Sequence, residues 1–341
     1  MENNQNMVIL DWGLFRRDVR RDVRNCALFL FFFYAIYLIG ALIVMVAGII
    51  GSSSFTNLAS DPSALTDLSG GLAAPGFQDF ADDVAGSLVE SAGLMSIVGI
   101  AAGSCVFFLL RKRRFITDLA LPAAEPLTPK IFFILVLATQ AIQFIYGLII
   151  TLVDELLPQG ISLLENYGEA MAGLSTPIGY AYIVLIGPVF EELIFRGAVM
   201  GTLRRYGDNF AILFSSIFFG FYHMIFLQIP FGFVMGLLLG YAASRWSLKL
   251  AIVLHIIVNG LSTLFSEITN ESFAAGAGLF MIICTILTFV FLIKWRGVFK
   301  LRARAGTPYY PRTYRNGFSS IAFWVFLVIM TSVGFLMMDV L

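Results

Sequence analysis

The stretch LSTPIGYAYIVLIGPVFEELIFR, residues 174–196, decides the fold class of this chain. It opens with seventeen residues that carry no charge, and a membrane-spanning helix needs about 20 apolar residues. The stretch then closes on two adjacent acids, Glu191 and Glu192, and on Arg196. A charged group inside a bilayer is energetically costly and is therefore usually functional. The stretch predicts a membrane span, 174–195, with acidic groups at its cytoplasmic end.

The composition of the whole chain agrees with a membrane protein. Of its 341 residues, 59% are hydrophobic and 13% are charged, and the mean hydropathy is +0.86. Soluble domains carry about 25% charged residues. The formal net charge is zero, so nothing indicates nucleic acid as a partner. We expect an all-α, polytopic transmembrane helix bundle, a multi-pass integral membrane protein whose surroundings are the lipid bilayer.

Hydropathy predicts about nine membrane spans. They cover residues 26–50, 92–110, 131–153, 174–195, 209–227, 229–244, 249–266, 276–294 and 318–340. With nine spans, all 22 Lys and Arg residues fall on one side of the bilayer. The positive-inside rule then places the N-terminus in the cytoplasm and the C-terminus outside. This charge pattern fits a bacterial plasma membrane, and an internal eukaryotic membrane is the alternative.

The same pattern divides the chain into four parts. They are a cytoplasmic basic N-terminal segment at 1–25, N-terminal transmembrane helices at 26–173 with an acidic extracytoplasmic loop at 51–91, a core at 174–295, and a cytoplasmic loop with the last transmembrane helix at 296–341.

The acids of the core differ in their expected partners. On a helix, Glu192 and Arg196 are four residues apart and can form an ion pair. Glu191 points about 100° away from Glu192 and has no partner within its own helix. A structural ion pair therefore explains Glu192 and Arg196, whereas Glu191 is a candidate general base.

Both histidines of the chain fall in predicted spans near these acids. His223 lies in the fifth span, and His255 and Asn259 lie four residues apart on one face of the seventh. Alone, His223 is typical of a satisfied core histidine, and the second pair is typical of an interhelical hydrogen-bond clamp. The two histidines are predicted at different depths in the bilayer. His223 lies more than about 20 Å from Asp208, at the cytoplasmic end of its span, whereas His255 lies about 9 Å from Lys249, at the cytoplasmic end of its own span.

Together, these groups suit the activation of a water molecule. They offer a base, a second proton-transfer group and donors for an oxyanion. Glu191, His223 and His255 also have the composition of a metal site, so a divalent metal such as zinc is an alternative. No His-Glu-x-x-His motif is present. The sequence therefore requires no cofactor.

The three motifs, Glu-Glu-x-x-x-Arg, Phe-x-x-x-His and His-x-x-x-Asn, resemble those of the CAAX protease and bacteriocin-processing family, also called the CPBP or Abi family. The resemblance covers residues 187–260. It implies an intramembrane endopeptidase, either glutamate-type or metallo-type, that cleaves a peptide or membrane protein near the cytoplasmic leaflet. It implies these roles: Glu191 activates water, His223 assists, His255 and Asn259 stabilise the oxyanion, and Glu192 and Arg196 orient the others.

Two further functions remain open at this point. A CPBP-like fold without catalysis would suit an immunity or regulatory membrane protein, since a fold does not fix an activity. Buried acids and histidines also form the relays of proton-coupled transporters. We find no pair of similar halves, which an inverted-repeat transporter would show.

Overall fold

The computed structural model describes residues 12–60, 75–111, 125–158, 162–294 and 312–340. None of these residues lies in a β-strand, which confirms the all-α prediction. Parts of the predicted basic N-terminal segment, of the acidic loop and of the last cytoplasmic loop lie outside the described residues.

The described residues form twelve helices, of which the sixth is a composite. The helices are α1 (Trp12–Gly51), α2 (Ser53–Ser60), α3 (Pro75–Arg111), α4 (Pro129–Glu155), α5 (Leu163–Ala172), α6 (Pro177–Tyr206), α7 (Asp208–Tyr222), α8 (Gln228–Arg245), α9 (Leu248–Ser266), α10 (Glu271–Lys294), α11 (Thr313–Phe318) and α12 (Ile321–Val340).

The helices account for every predicted membrane segment. Among the described residues, six helices are long and apolar enough to cross a bilayer, namely α1, α3, α4, α6, α9 and α10. The helix α7 and the apolar part of α12 are shorter, and α8 has 18 residues. The chain is a multi-pass integral membrane protein. The count of nine spans and the sides of the two termini stay predictions.

The basic segment and the first span form one continuous helix. With 40 residues, α1 is about 60 Å long, twice the hydrocarbon core of about 30 Å. Near its start, the buried Asp22 accepts a hydrogen bond of 2.9 Å from the Tyr206 hydroxyl and forms an ion pair with Arg205. These contacts fasten α1 to the end of α6.

The predicted acidic loop at 51–91 is wrong where the structure describes it. Residues 53–60 form α2, and α3 already begins at Pro75. Hydropathy detected only the apolar part of α3, because its first turns carry exposed acids. The partly buried Asp83 accepts hydrogen bonds from the Ser53 hydroxyl at 3.0 Å and from the Ser54 amide at 2.7 Å. Asp83 therefore caps the start of α2 from within a helix, where a loop was predicted.

Glycines bring α1, α3 and α6 into close contact. A Cβ atom added to Gly99 would lie 2.9 Å from the Tyr37 ring, and one on Gly103 would lie 2.8 Å from the Phe33 ring. A Cβ on Gly93 would lie 2.5 Å from the backbone nitrogen of Gly179. Small residues allow this approach of membrane helices. The N-terminal helices are thereby packed against the composite helix that carries the acids.

A tight turn sets α7 beside α6. Gly207 joins them with φ +114°, a conformation that glycine adopts without the strain a Cβ would cause. Phenylalanines of α7, including Phe214 and Phe218, are fully buried beneath α12 and α1. The helix α8 then packs back against α7. The core of the molecule is thus built around α6, α7, α8 and α9.

Candidate active site

The composite helix α6 is irregular on both sides of its acids. Tyr182–Ile186 and Leu193–Val199 are π-helical and flank the α-helical turn Gly187–Glu192. The Gly187 amide donates to the carbonyl of Tyr182, five residues back. Short π-helical segments inside α-helices occur frequently at functional sites. The two π-helical segments therefore lie directly before and after the turn that carries Glu191 and Glu192.

Asn259 compensates for the irregular backbone hydrogen bonding of α6. In a regular α-helix the Ile183 carbonyl would accept from the Gly187 amide, but that amide bonds Tyr182 instead. The next amide belongs to Pro188, which has no N–H. The Asn259 Nδ2 donates to the Ile183 carbonyl over 2.9 Å. Asn259 thus joins α9 to α6 by an interhelical hydrogen bond.

Glu192 and Arg196 form the predicted ion pair. The Arg196 Nη1 lies 2.9 Å from Oε1 of Glu192, and both side chains are fully buried. The second guanidinium nitrogen, Nη2, donates to the Gly236 carbonyl at 3.2 Å. The guanidinium also lies over the Phe219 ring, 4.3 Å from its centroid. The buried charges are therefore paired, as a low-dielectric interior requires.

The helix that carries this pair extends past the predicted end of the span at residue 195, and the position of the pair at the cytoplasmic end stays a prediction. The helix α6 continues to Tyr206, and Arg196 is only 3% exposed. The polar end of α6 lies at Arg204, which donates to Asp208 at 3.2 Å. Hydropathy placed Arg196 after the span because it scores every arginine as polar and cannot show that the Glu192–Arg196 pair is buried.

His255 lies between the two acids. Its Nδ1 is 2.9 Å from Oε1 of Glu192, and its Nε2 is 3.8 Å from Oε2 of Glu191. An ionised carboxylate only accepts hydrogen bonds, so Nδ1 carries a proton and donates it to Glu192. That tautomer directs the opposite ring nitrogen at Glu191. All three side chains are at least nine-tenths buried.

His223 lies at the end of α7 and not inside a helix. The helix ends at Tyr222, and the turn to α8 follows. Glu191 is sixteen residues before Gly207 and His223 is sixteen residues after it. The α6–α7 hairpin therefore brings the two residues to the same level. The predicted disagreement in depth arose from placing the end of α6 at Arg196.

Phe219 separates the two histidines. The His223 Nδ1 donates to the Phe219 carbonyl at 2.9 Å. The Phe219 ring meets the rings of His223 and His255 edge to face, with centroids 4.8 Å and 5.7 Å apart. His223 is close enough to Glu191 to interact with it electrostatically. Its Nε2 keeps a lone pair that is not used by the Phe219 contact.

The structure thus places some of the predicted site residues in direct contact and others only nearby. Glu191, His255, Glu192 and Arg196 form one chain of contacts. His223 borders the chain through Phe219, and Asn259 lies one helical turn beyond His255.

Comparison with known proteins finds two similarities to CAAX proteases. Residues 173–261 match the model of the type II CAAX prenyl endopeptidase Rce1-like family. The membrane-embedded CAAX protease MroQ of Staphylococcus aureus (strain USA300) is 26% identical over 186 residues, which cover 52% of this chain and 74% of MroQ. Both matches support the resemblance of the chain to the CPBP family. No solved structure matches the chain significantly.

The CPBP motifs do not form a metal cluster in the part of the chain that the structure describes. There, no group of three His, Cys, Asp or Glu side chains is placed to hold a metal ion. Both ring nitrogens of His255, one of the predicted ligands, already face carboxylates. The zinc alternative stays a prediction without support from this geometry.

Sequence reasoning missed a group of tyrosines beside Glu191. A Cβ added at Gly187 would lie 3.6 Å from the Glu191 Oε1 and 3.7 Å from the Tyr182 ring. Tyr37 and Tyr222 also lie close enough to Glu191 to interact with it electrostatically. Tyrosine is common in apolar runs, so these residues gave no separate signal. Tyr37 lies on α1, outside the segment that matches the CPBP family.

Proposed function

We propose that the chain is an intramembrane endopeptidase in which Glu191 activates the attacking water. The match of residues 173–261 to the Rce1-like endopeptidase model and the similarity to a protein named as a protease support a peptidase. The observation that carries the mechanism is the position of His255 between two buried acids, 2.9 Å from Glu192 and 3.8 Å from Glu191.

The two acids take different roles in this mechanism. Arg196 pairs with Glu192, so Glu192 acts as the fixed carboxylate that orients His255. Among the described residues, Glu191 forms no ion pair with a Lys or Arg side chain, and in this mechanism it faces the lone pair of the neutral His255 imidazole. It accepts a proton from water while the water oxygen attacks the carbonyl carbon of the peptide bond.

His255 carries the proton onward. Glu191 passes it to Nε2, and the resulting imidazolium is stabilised by Glu192 through Nδ1. The same Nε2 gives the proton to the leaving amine as the C–N bond breaks. One water is consumed, and the products are a carboxylic acid and an amine. An imidazole held by a carboxylate on one nitrogen and exchanging protons with the other is a recurrent catalytic arrangement.

Three further groups support the reaction. The imidazolium form of His255 and the second N–H of the Asn259 amide stabilise the oxyanion. The Nε2 of His223 assists Glu191 by accepting a hydrogen bond from the water. The substrate is a peptide or a membrane protein, cleaved near the cytoplasmic leaflet.

The test compares cleavage products directly. Membranes from cells that lack this chain are incubated with the purified wild-type protein or with Glu191→Ala, and mass spectrometry records the new peptide termini. We expect discrete termini with wild-type protein and none with Glu191→Ala. Identical termini in both samples would contradict the mechanism.

Two outcomes would favour the other functions. If Glu191→Gln combined with His255→Ala retains the full cellular phenotype, the chain is a non-catalytic immunity or regulatory protein. If liposomes that contain the chain move protons with a solute, and Glu191→Gln abolishes this, the chain is a transporter.

A further inference from the structure

Three arginines of α1 form an exposed row on the surface of the molecule. Arg16, Arg20 and Arg24 are spaced four residues apart, so they lie on one face of the helix, about 6 Å apart along its axis. All three side chains are exposed. Like charges at this spacing repel each other and destabilise a helix. The arginine row therefore carries a repulsion that a bound anion would relieve.

The carboxylates in the same part of α1 do not neutralise the arginine row. Asp18 forms an ion pair with Arg21 at 2.9 Å. The buried Asp22 pairs with Arg205 of α6 and accepts the hydrogen bond from Tyr206. In the part of the chain that the structure describes, no arginine of the row forms an ion pair with a carboxylate. Their charges are therefore available to a partner outside the chain.

Contacts with α12 hold the arginine row in place. The Arg20 Nε donates to the Ser319 hydroxyl, just before α12, at 3.2 Å. Farther along both helices, the rings of Phe31 and Phe326 meet edge to face with centroids 5.3 Å apart. The helices α1 and α12 therefore run side by side in the same direction, and Arg20 lies level with the start of α12.

The start of α12 marks the level at which lipid begins. Ile321 is apolar yet 81% exposed, and Trp324 is 51% exposed. Exposed apolar side chains of a membrane protein face lipid, and tryptophans are enriched at the boundary between lipid and water. On α1, the apolar run begins at Cys26, two residues after Arg24. The arginine row therefore lies at the level of the lipid headgroups.

The short helix α11 adds a fourth arginine beside the row. Arg315 is exposed and lies four residues before Ser319, on the same helical face. The helix α11 packs against α1. It is also fixed against α7, because a Cβ added at Gly317 would lie 2.5 Å from the Phe214 ring. Arg315 is thus held next to the arginine row.

We propose that Arg16, Arg20, Arg24 and Arg315, together the basic face, bind the headgroups of anionic phospholipids. A phosphatidylglycerol headgroup carries a net negative charge, and a guanidinium group binds phosphate oxygens through two parallel hydrogen bonds. In phosphatidylcholine the quaternary ammonium cancels the charge of the phosphate, so the basic face discriminates against it. This binding is independent of the proposed peptidase function.

The test measures which lipids the purified full-length protein retains. Protein in neutral detergent is mixed with equal amounts of phosphatidylglycerol and phosphatidylcholine and passed through gel filtration, and mass spectrometry quantifies the bound lipids. We expect the ratio of phosphatidylglycerol to phosphatidylcholine to exceed about 10, because each arginine near a membrane surface favours anionic lipid about fivefold. In about 0.5 M NaCl we expect the ratio to fall, since salt screens exposed charges.

A double variant locates the binding at the basic face. Arg16→Gln with Arg24→Gln leaves the bond from Arg20 to Ser319 intact, and we expect the ratio to fall at least about fivefold. The matched control is Lys249→Gln with Lys294→Gln, which removes the same charge from exposed lysines on α9 and α10. We expect the control to stay within about twofold of wild type, because isolated exposed charges contribute little.

Three outcomes would overturn the proposal. They are equal retention of the two lipids by wild-type protein, a wild-type ratio that salt does not change, and an equal fall of the ratio in the two double variants. In the last case the net charge of the chain, and not the basic face, selects the lipid. The salt series uses wild-type protein alone, so it tests the proposal whether or not the double variant folds.

Discussion

His255 donates a hydrogen bond from Nδ1 to Oε1 of Glu192 over 2.9 Å. The same oxygen accepts from Nη1 of Arg196, also at 2.9 Å. One carboxylate oxygen therefore fixes both an imidazole and a guanidinium. This shared acceptor links the ion pair within α6 to the proton-transfer group on α9.

The Glu192–Arg196 ion pair is expected to contribute both to stability and to catalysis, and the two contributions can be measured separately. Glu192→Gln leaves the buried Arg196 without its anion, which costs about 3–5 kcal/mol of stability. We expect the double variant Glu192→Gln, Arg196→Met to regain most of that stability, since apolar replacement of a buried pair is often tolerated. Its activity stays low because His255 loses its carboxylate. Thermal unfolding and cleavage rates measure the two parts, and recovery of activity in the double variant would show that Glu192 has no orienting role.

Asn259 is expected to contribute to stability through the Ile183 carbonyl. Asn259→Ala leaves this carbonyl without its donor, and such a loss costs about 1–3 kcal/mol. The matched variant is Pro188→Ala in the same background, because it supplies a backbone N–H within reach of the π-helical turn. We expect it to restore part of the lost stability in denaturant titrations. If Asn259→Ala unfolds at the same denaturant concentration as wild type, the hydrogen bond from Asn259 to the Ile183 carbonyl does not stabilise the protein.

Gly99 is expected to matter because of the ring that lies against it. Gly99→Ala places a Cβ within 2.9 Å of Tyr37, and overpacking of this kind costs about 1–3 kcal/mol. We expect lower stability in denaturant titrations, because α1 and α3 can no longer pack as closely. The control is Gly86→Ala on the same helix, where an added Cβ meets nothing within 4 Å. Equal unfolding transitions in the two variants would contradict the prediction.

Metal removal is expected to leave the activity intact. Glu191 and His255 supply the base and the proton carrier, so the proposed steps need no Lewis acid. We predict that dialysis against a strong chelator changes the cleavage rate by less than about twofold, an effect too small for loss of a catalytic metal. A loss that zinc restores would instead identify a metallopeptidase.

The class of fold and the acids and imidazoles of the candidate site could be predicted from the sequence. Long runs without charge identify membrane helices, and Glu191, Glu192 and His255 stand out because ionisable groups are rare in such runs. Their contact could be expected from motif order.

The remaining features depend on tertiary contacts that periodicity cannot show. The end of α6 was misplaced because hydropathy does not show that the Glu192–Arg196 pair is buried against neighbouring helices. The start of α3 was missed because its exposed acids lower the hydropathy of a helical segment. The partner of Asn259 follows from a π-helical turn, and the contact of the Tyr37 ring follows from the close approach of α1 and α3 at Gly99.

The central claim is that Glu191 is the base of a peptidase. The most direct measurement is the single-turnover cleavage rate of Glu191→Gln, which keeps the shape of the side chain and removes its basicity. The matched control is Glu169→Gln on α5, an exposed acid far along the chain from the motifs. We predict that Glu191→Gln is slower than wild type by a factor of about 100 or more, whereas Glu169→Gln cleaves at the wild-type rate. Wild-type cleavage by Glu191→Gln would contradict the account.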